Sequence, residues 1–192
     1  MNGAVRKARE SARLAADFVE ASAPEIERAT IGLAERFERG GKLLAFGNGG
    51  SACDASHAAV EFAHPIIERR RALPAIALSE STALLSAVGN DGDFSRVFVD
   101  QIDLLARPHD ALLGISTSGA SSNVAVALRR GRELGLFTIG FAGRDGGSMA
   151  DLCDVCLVVP SWSIHRIQEV HTLLLHLLWD ELHVKLGADD VL

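Results

Sequence analysis

The chain has 192 residues, 48% of them hydrophobic and 23% charged, a balance that excludes a disordered protein and predicts one globular domain over 1–192. A formal net charge of -6 argues against a basic module that binds nucleic acid. There is no run of about 18 apolar residues and no apolar stretch of signal-peptide type near the start, so we expect no membrane span and a cytoplasmic location.

The first forty residues (1–40) predict a helical extension. Helical spacing runs through 2–39. Pro24 is suited to open a second helix and Gly40-Gly41 to end it. Two helices ahead of the first strand need a surface to cover, which is either the domain's own sheet or another subunit. A small-residue face lies on the first of them, formed by Ala8, Ala12, Ala15, Ala16 and Val19.

Beyond residue 41, short apolar runs alternate with helical segments. The predicted strands are Lys42–Phe46, Pro74–Leu78, Ala111–Ile115, Phe137–Phe141 and Val155–Val159. The predicted helices are Ala52–Ala63, Ser81–Val88, Phe94–Leu105, Ser121–Leu134 and Ser163–Leu186. Fully apolar strands alternating with helices predict an α/β fold with a parallel sheet covered on both faces. Such sheets bind ligands at the carboxyl ends of their strands.

Two loops rich in glycine and serine follow predicted strands. The first is Gly47-Asn48-Gly49-Gly50-Ser51, which matches neither the dinucleotide nor the Walker pattern. Glycines let a backbone approach a ligand closely, but a tight strand-to-helix turn explains this loop equally well.

The second loop, Ser116-Thr117-Ser118-Gly119-Ala120-Ser121-Ser122-Asn123, carries five hydroxyls before a predicted helix. Capping that helix would need one hydroxyl, whereas the N–H groups of a helix N-terminus and several hydroxyls together suit a phosphate monoester. The loop has no lysine or arginine, which argues against a nucleotide polyphosphate.

Three other groups of polar residues have less specific patterns. His57 and Glu61 are spaced i, i+4, which suits a metal pair, an acid/base pair or an ordinary salt bridge. On the last predicted helix, Gln168 and His176 are separated by about 12 Å along the axis and would reach one ion only from opposite sides. Cys153 and Cys156 have no second ligand pair, so two small core residues near a strand are favoured over a zinc or redox site.

Taken together, the motifs resemble those of a known family. In chain order they are GNGGSACDASHAAVEF, LPAIAL, AVGND, LLGISTSGASSNV, DGGSMADLCDVCLVVP and RIQEVHTLLLH. They are similar to the phosphoheptose isomerases, sugar isomerase (SIS) domain proteins that convert sedoheptulose 7-phosphate to glycero-manno-heptose 7-phosphate. The resemblance covers nearly the whole chain, and the His-x-x-x-Glu and Arg-Ile-Gln-Glu-x-His-x-x-x-x-His elements narrow it beyond an SIS domain.

The resemblance implies an SIS-type three-layer sandwich with a five-stranded parallel sheet flanked by helices, plus N-terminal helices that help to build a homotetramer. It implies one zinc ion per subunit, held by His57, Glu61, Gln168 and His176. It also implies an aldose–ketose isomerisation through an enediolate, with Glu61 as base and His176 as acid. The implied contacts to the phosphorylated sugar are Asn48, Gly49, Gly50, Ser51, Asn90, Asp91, Ser116, Thr117, Ser118, Ser121 and Gln168.

The sequence departs from the family pattern at two places near the expected site. After Glu61 the family commonly has a Gly-Arg step, whereas this chain has His64-Pro65, with the cations nearest to it at 69–71. The stretch 161–165 carries Trp162 and His165 where small or polar residues are typical. These departures bear on which phosphosugar is used more than on the reaction type, and neutral drift explains them equally well.

Two other functions are compatible with an SIS fold. One is a tetrameric adaptor, a non-catalytic relative that binds the bacterial replication initiator DnaA and need not keep a complete acid, base and metal set. The presence of Glu61, Gln168 and His176 favours the enzyme. The other is a phosphosugar sensor that controls transcription, but 192 residues leave no room for its DNA-binding domain.

Overall fold

A computed structural model of the protein describes residues 2–67 and 70–190. Arg69, one of the cations noted after Glu61, lies outside the described residues. The helices are α1 (Gly3–Ala21), α2 (Ala23–Glu38), α3 (Gly50–Ala63), α4 (Thr82–Asp91), α5 (Val99–Leu105), α6 (Ser122–Glu133) and α7 (Ile164–Lys185). The strands are β1 (Leu43–Gly47), β2 (Ala75–Ala77), β3 (Ala111–Ser116), β4 (Phe137–Gly143) and β5 (Val155–Val159).

Within the described ranges, the five strands form one parallel sheet in the order β2-β1-β3-β4-β5. β1 and β3 are buried at every position, as expected for central strands covered on both faces. The strand order places the carboxyl ends of β1 and β3 side by side. The α/β class, the parallel sheet and the flanking helices predicted from the sequence are confirmed.

Helices cover both faces of this sheet because successive strand side chains point to opposite sides. Leu43 and Ala45 contribute to the core shared with α2, α3 and α7. Leu44 and Phe46 contribute to the core shared with α5 and α6. The result is the predicted three-layer sandwich, with α3 and α7 in one outer layer, in contact with each other.

The two N-terminal helices pack differently on the rest of the chain. α2 packs on β4, β5 and α7, so it covers the chain's own sheet. α1 contacts α7 and α2, and buries only Phe18 among its described residues. On its small-residue face, Ala8, Ala12 and Ala16 are exposed. This chain therefore leaves most of that face uncovered.

The predicted helix Phe94–Leu105 is wrong, because the structure has two shorter elements there. The stretch 94–105 divides into a short 3-10 helix, Phe94–Arg96, and α5. The Asp93 side chain accepts a 2.9 Å hydrogen bond from Ser95 N, which favours a tight turn over a regular first α-helical turn. In the part of the chain that the structure describes, no helix has both the length and the hydropathy that crossing a bilayer requires.

Candidate active site

The two glycine- and serine-rich loops lie next to each other at the carboxyl edge of the sheet. Each follows one of the neighbouring strands β1 and β3. Asn48 Nδ2 donates to Asn123 Oδ1 at 2.9 Å, and Asn123 Nδ2 donates back to Asn48 Oδ1 at 2.8 Å. This reciprocal pair joins the first loop to the start of α6. Asn123 is a site-forming residue that the sequence reasoning did not single out, and its place at the end of the serine-rich loop was the available signal.

Two hydroxyls of the second loop lie beside that of Ser116, the last residue of β3. Ser116 Oγ lies 2.9 Å from Ser121 Oγ and 3.4 Å from Ser118 Oγ. Ser121 is the N-cap residue of α6, yet its side chain makes no capping hydrogen bond. Its hydroxyl instead lies beside the helix N-terminus, where backbone N–H groups and the helix dipole favour an anion. The simple capping alternative does not describe this loop.

The first loop needs its glycines for two different reasons. Gly49 has φ +56°, a conformation that favours glycine, and it is the N-cap residue of α3. A Cβ at Gly47 would lie 2.7 Å from Ser51 O and 2.8 Å from Ile115 O. At Gly50 a Cβ would instead clash with the amide nitrogen of Gln168. The loop therefore brings the Gln168 amide of α7 against the first turn of α3.

Two imidazoles and a carboxylate form a compact cluster where α3 meets α7. His57 Nε2 lies 3.4 Å from Glu61 Oε1 and 3.4 Å from His176 Nε2. The two imidazole rings meet edge to face, with centroids 5.0 Å apart. One ligand atom from each of the three residues lies within 4.8 Å of the others. His176 is exposed, and His57 and Glu61 are half-buried, so small molecules reach the cluster.

This donor set fits a zinc ion. Imidazole nitrogen and carboxylate oxygen are typical zinc donors, and three protein ligands with an open position are characteristic of catalytic zinc. Gln168 approaches the neighbouring loop at Gly50, so its assignment as a fourth ligand stays a prediction.

Two further titratable residues lie on the helices that carry the cluster, and the sequence reasoning gave neither of them a role. Asp54 lies one helical turn before His57, and its buried Oδ2 has no hydrogen-bond partner within the described residues. Burial raises the pKa of the Asp54 carboxyl, and the nearby His57 lowers it to a smaller extent. His171 is fully buried on α7, and its Nε2 donates to the Ala142 carbonyl over 3.0 Å. Burial lowers the pKa of His171 to about 4, so its imidazole is neutral.

Some predicted site residues are not joined to these groups. Asn90 and Asp91 lie at the exposed end of α4, where Asn90 Nδ2 donates to Asp91 Oδ1 at 2.7 Å. Within the described residues, no hydrogen bond joins them to either loop. Gly49 and Gly50 contribute backbone alone, and Thr117 is half-buried beside Ser116. Their roles toward a sugar stay predictions.

The two departures from the family pattern lie at the rim of α3 and before α7. His64 caps the C-terminus of α3 and is exposed, and Pro65 follows it. Arg70 is not free to replace a missing cation, because its guanidinium pairs with Asp180 and stacks on Trp179. Trp162 is exposed and contacts the Arg144 guanidinium, 5.4 Å from its ring centroid.

The cysteine pair packs against the core near a strand, as the sequence analysis favoured. Cys156 lies on β5 and Cys153 in the turn before it, and both pack against the core beneath α6. A hydrogen bond between the two thiols raises the pKa of Cys153 and lowers that of Cys156. The possible metal cluster in the described part of the chain does not include them.

Comparison with known proteins agrees with this fold. The family model for the SIS domain matches residues 8–143. The phosphoheptose isomerase of Roseiflexus sp. (strain RS-1) is 48% identical over 160 residues, which cover 83% of this chain and 81% of the relative. That of Desulfovibrio desulfuricans is 47% identical over 171 residues, covering 89% and 81%.

Solved structures show the same relationship. A phosphoheptose isomerase from Neisseria gonorrhoeae superposes with a TM-score of 0.86 at 38% identity, covering 92% of this chain and 95% of its own. One from Francisella tularensis gives 0.89 at 33% identity, covering 96% and 100%.

The fold and the two loops define an SIS domain protein. Within that class, the chain belongs to the phosphoheptose isomerase family and is a sugar phosphate isomerase.

Proposed function

We propose that this protein is an aldose–ketose isomerase that converts sedoheptulose 7-phosphate to D-glycero-D-manno-heptose 7-phosphate. The observation that carries the proposal is the pairing of Glu61 and His176 across α3 and α7, on either side of His57. Isomerisation of this kind needs a base near carbon and an acid near oxygen, and this pair supplies both. The relatives' name gives the substrate class.

In this proposal the second loop binds the phosphate of the sugar. The hydroxyls of Ser116, Ser118 and Ser121 meet at one point beside the N-terminus of α6, and Thr117 lies between the first two. These groups would bind a phosphate through hydrogen-bond donors rather than through cationic side chains. The sugar then extends across the first loop. Its proposed contacts are Asn48, Gly49, Gly50, Ser51, Asn90, Asp91 and Gln168.

The reaction then uses two side chains. The Glu61 carboxylate takes a proton from C1 of the ketose, which gives an enediolate, and His176 gives a proton to the C2 oxygen. His176 next takes the proton from the C1 oxygen. Glu61 returns its proton to C2, so the aldose forms with no net gain or loss of protons.

A divalent ion has a proposed place beside these groups. His57, Glu61, Gln168 and His176 would hold one zinc ion per subunit, and the three clustered donors fit it. When bound, zinc would stabilise negative charge that develops on the sugar oxygens. Metal coordination lowers the basicity of a carboxylate, so we expect Glu61 to bind the ion weakly or to leave it when substrate binds.

The assembly proposed for this chain is a homotetramer, built from a single SIS domain with its helical extension 1–40. It is supported by α1, whose small-residue face is left exposed by the chain's own helices. We also propose that the protein works in the cytoplasm, on a phosphorylated sugar and without a nucleic-acid partner.

The proposal is tested by turnover of sedoheptulose 7-phosphate, with a chelator and with added zinc. We expect conversion to the aldose that the chelator removes and zinc restores. Glu61→Gln should abolish turnover while the substrate still binds, as measured by calorimetry. Glu133→Gln, on the exposed face of α6, is the matched control and should retain full activity.

Three results would contradict parts of this proposal. Turnover by the Glu61→Gln variant would exclude Glu61 as the base. Full activity of the chelated protein would exclude a required metal. Binding of the ketose without turnover by the unaltered chain would indicate a different phosphosugar or the adaptor function, and the His64-Pro65 step would be the first place to change.

A further inference from the structure

The last turn of α3 ends at a carbonyl whose normal helical donor is missing. In a regular helix the Glu61 carbonyl would accept from the N–H of residue 65, but residue 65 is proline and has no N–H. His64 N donates to Val60 O at 2.8 Å and is the last regular bond of the helix. The backbone of Glu61 therefore needs a donor from outside α3.

Trp179 of α7 supplies this donor. Its Nε1 donates to the Glu61 carbonyl oxygen at 2.8 Å. The indole is 5% exposed, so the bond lies in a nearly dry environment, where hydrogen bonds are strong and lost ones costly. Trp179 comes three residues after His176, about one helical turn further along α7. This bond thus joins the two helices that carry Glu61 and His176, close to both.

Buried groups hold the indole in this orientation. The Arg70 guanidinium stacks on the Trp179 ring, 4.7 Å from its centroid, and pairs with the Asp180 carboxylate. The His183 ring lies 4.5 Å from the Trp179 ring, and its Nε2 contacts the Arg71 carbonyl at 3.1 Å. Arg70 is 8% exposed. Arg70 and Arg71 therefore contact α7 and hold the residue that bonds to Glu61.

We propose that Trp179, held by Arg70, is a positioning residue for the isomerisation and fixes Glu61 relative to His176. It touches neither substrate nor metal and acts through the Glu61 backbone. This inference rests on the proposed function. The inference also explains a consequence of His64-Pro65, where the chain departs from the family pattern. Residue 65 has no N–H, and an indole N–H from α7 takes its place.

The test removes the indole N–H that donates to the Glu61 carbonyl, and then restores the backbone N–H that a regular helix would supply. Trp179→Phe keeps an aromatic ring but removes the N–H, and we expect kcat to fall about tenfold with KM within about twofold of the unaltered chain. Adding Pro65→Ala to Trp179→Phe restores an N–H four residues after Glu61. The double variant should recover most of the lost kcat. Arg70→Gln should cause the same loss of kcat as Trp179→Phe. Arg70→Lys, which keeps a cation on the ring, should cause a smaller loss.

Thr30→Val is the matched control. Thr30 Oγ1 donates to the Ile26 carbonyl at 2.9 Å in α2, which packs on the same α7. This variant loses a buried side-chain bond to a helix carbonyl and should lose stability without a change in kcat. If Trp179→Phe lowers the unfolding temperature as Thr30→Val does but leaves kcat unchanged, or if Pro65→Ala does not rescue its kcat, the positioning role is refuted.

Two measurements that do not use turnover separate this inference from the proposed function. Hydrogen–deuterium exchange of the peptide spanning 57–67 should be faster in Trp179→Phe than in the unaltered chain. In the double variant it should return to the rate of the unaltered chain. Zinc affinity, measured by competition with a chromophoric chelator, should weaken about tenfold in Trp179→Phe. If the unaltered chain fails to isomerise the sugar but Trp179→Phe shows both changes, the proposed function fails and the positioning of Glu61 stands. Unchanged exchange and unchanged zinc affinity would overturn the positioning role whatever the substrate.

Discussion

The buried imidazole of His171 makes the stability of this protein depend on pH in a predictable direction. His171 is fully buried, with its ring 5.6 Å from that of Phe141 and its Nε2 bonded to the Ala142 carbonyl. Its Nδ1 has no hydrogen-bond partner within the described residues. Protonation would place a charge there without a partner. Burial therefore lowers the pKa, and the bond to Ala142 offsets only part of this effect.

The size of the effect follows from the two states of the imidazole. The pKa of His171 is about 4 in the folded protein and 6.5 as the ordinary value for the unfolded chain. Between these values the unfolded chain binds a proton that the folded protein does not, so the free energy of unfolding decreases as the pH falls. From about pH 7.5 to about pH 5, His171 should contribute a loss of about 2 kcal/mol. Above the pKa of the unfolded chain the imidazole is neutral in both states, so this loss of stability is absent.

Urea unfolding of the unaltered chain and of His171→Gln at fixed protein concentration measures this contribution. Glutamine does not titrate, and its amide nitrogen can replace the bond from Nε2. The difference in unfolding free energy between the two proteins should therefore shift by about 2 kcal/mol between these pH values, in the direction that disfavours histidine at low pH. A difference that is the same at both pH values would refute the argument, because it would mean that His171 does not resist protonation.

Two further predictions concern residues at the carboxyl and the amino ends of the strands. Gly50→Ala places a Cβ against the Gln168 amide, so we expect kcat/KM to fall about tenfold with little change in unfolding temperature; an unchanged kcat/KM would mean that Gln168 has no role in the site. Asp110→Asn weakens the bonds that Asp110 accepts from Lys42 Nζ at 2.5 Å and from Arg107 N at 2.7 Å, far from both loops. It should lower the unfolding free energy by about 2 kcal/mol and leave KM unchanged, and a raised KM would contradict this separation.

Much of the fold could be predicted from local patterns. The runs LLAF and ALLGI are apolar at every position because both faces of their strands are covered, and that indicates a parallel sheet. The break inside 94–105 was missed because the bond from Ser95 N to Asp93 competes with a helical periodicity that continues through it. The grouping of hydroxyls at the end of β3 was predictable because they all lie between positions 116 and 122.

The rest of the site depends on residues far apart in the chain. His57 and Glu61 are spaced for an ordinary salt bridge, and His176 joins them only because α3 packs on α7. The Gln168 amide reaches Gly50 for the same reason.

The sequence by itself determined the strands, the helices and the loops that end them, because these depend on side-chain periodicity and on glycine, proline and hydroxyl positions within a few residues. Only the tertiary structure decided which polar groups meet. Trp179 and Glu61 are separated by 118 residues, and their bond exists because Pro65 leaves a carbonyl without a donor and α7 brings an indole N–H to it. Such a pairing follows from the way the two helices pack on the sheet, which local periodicity does not specify.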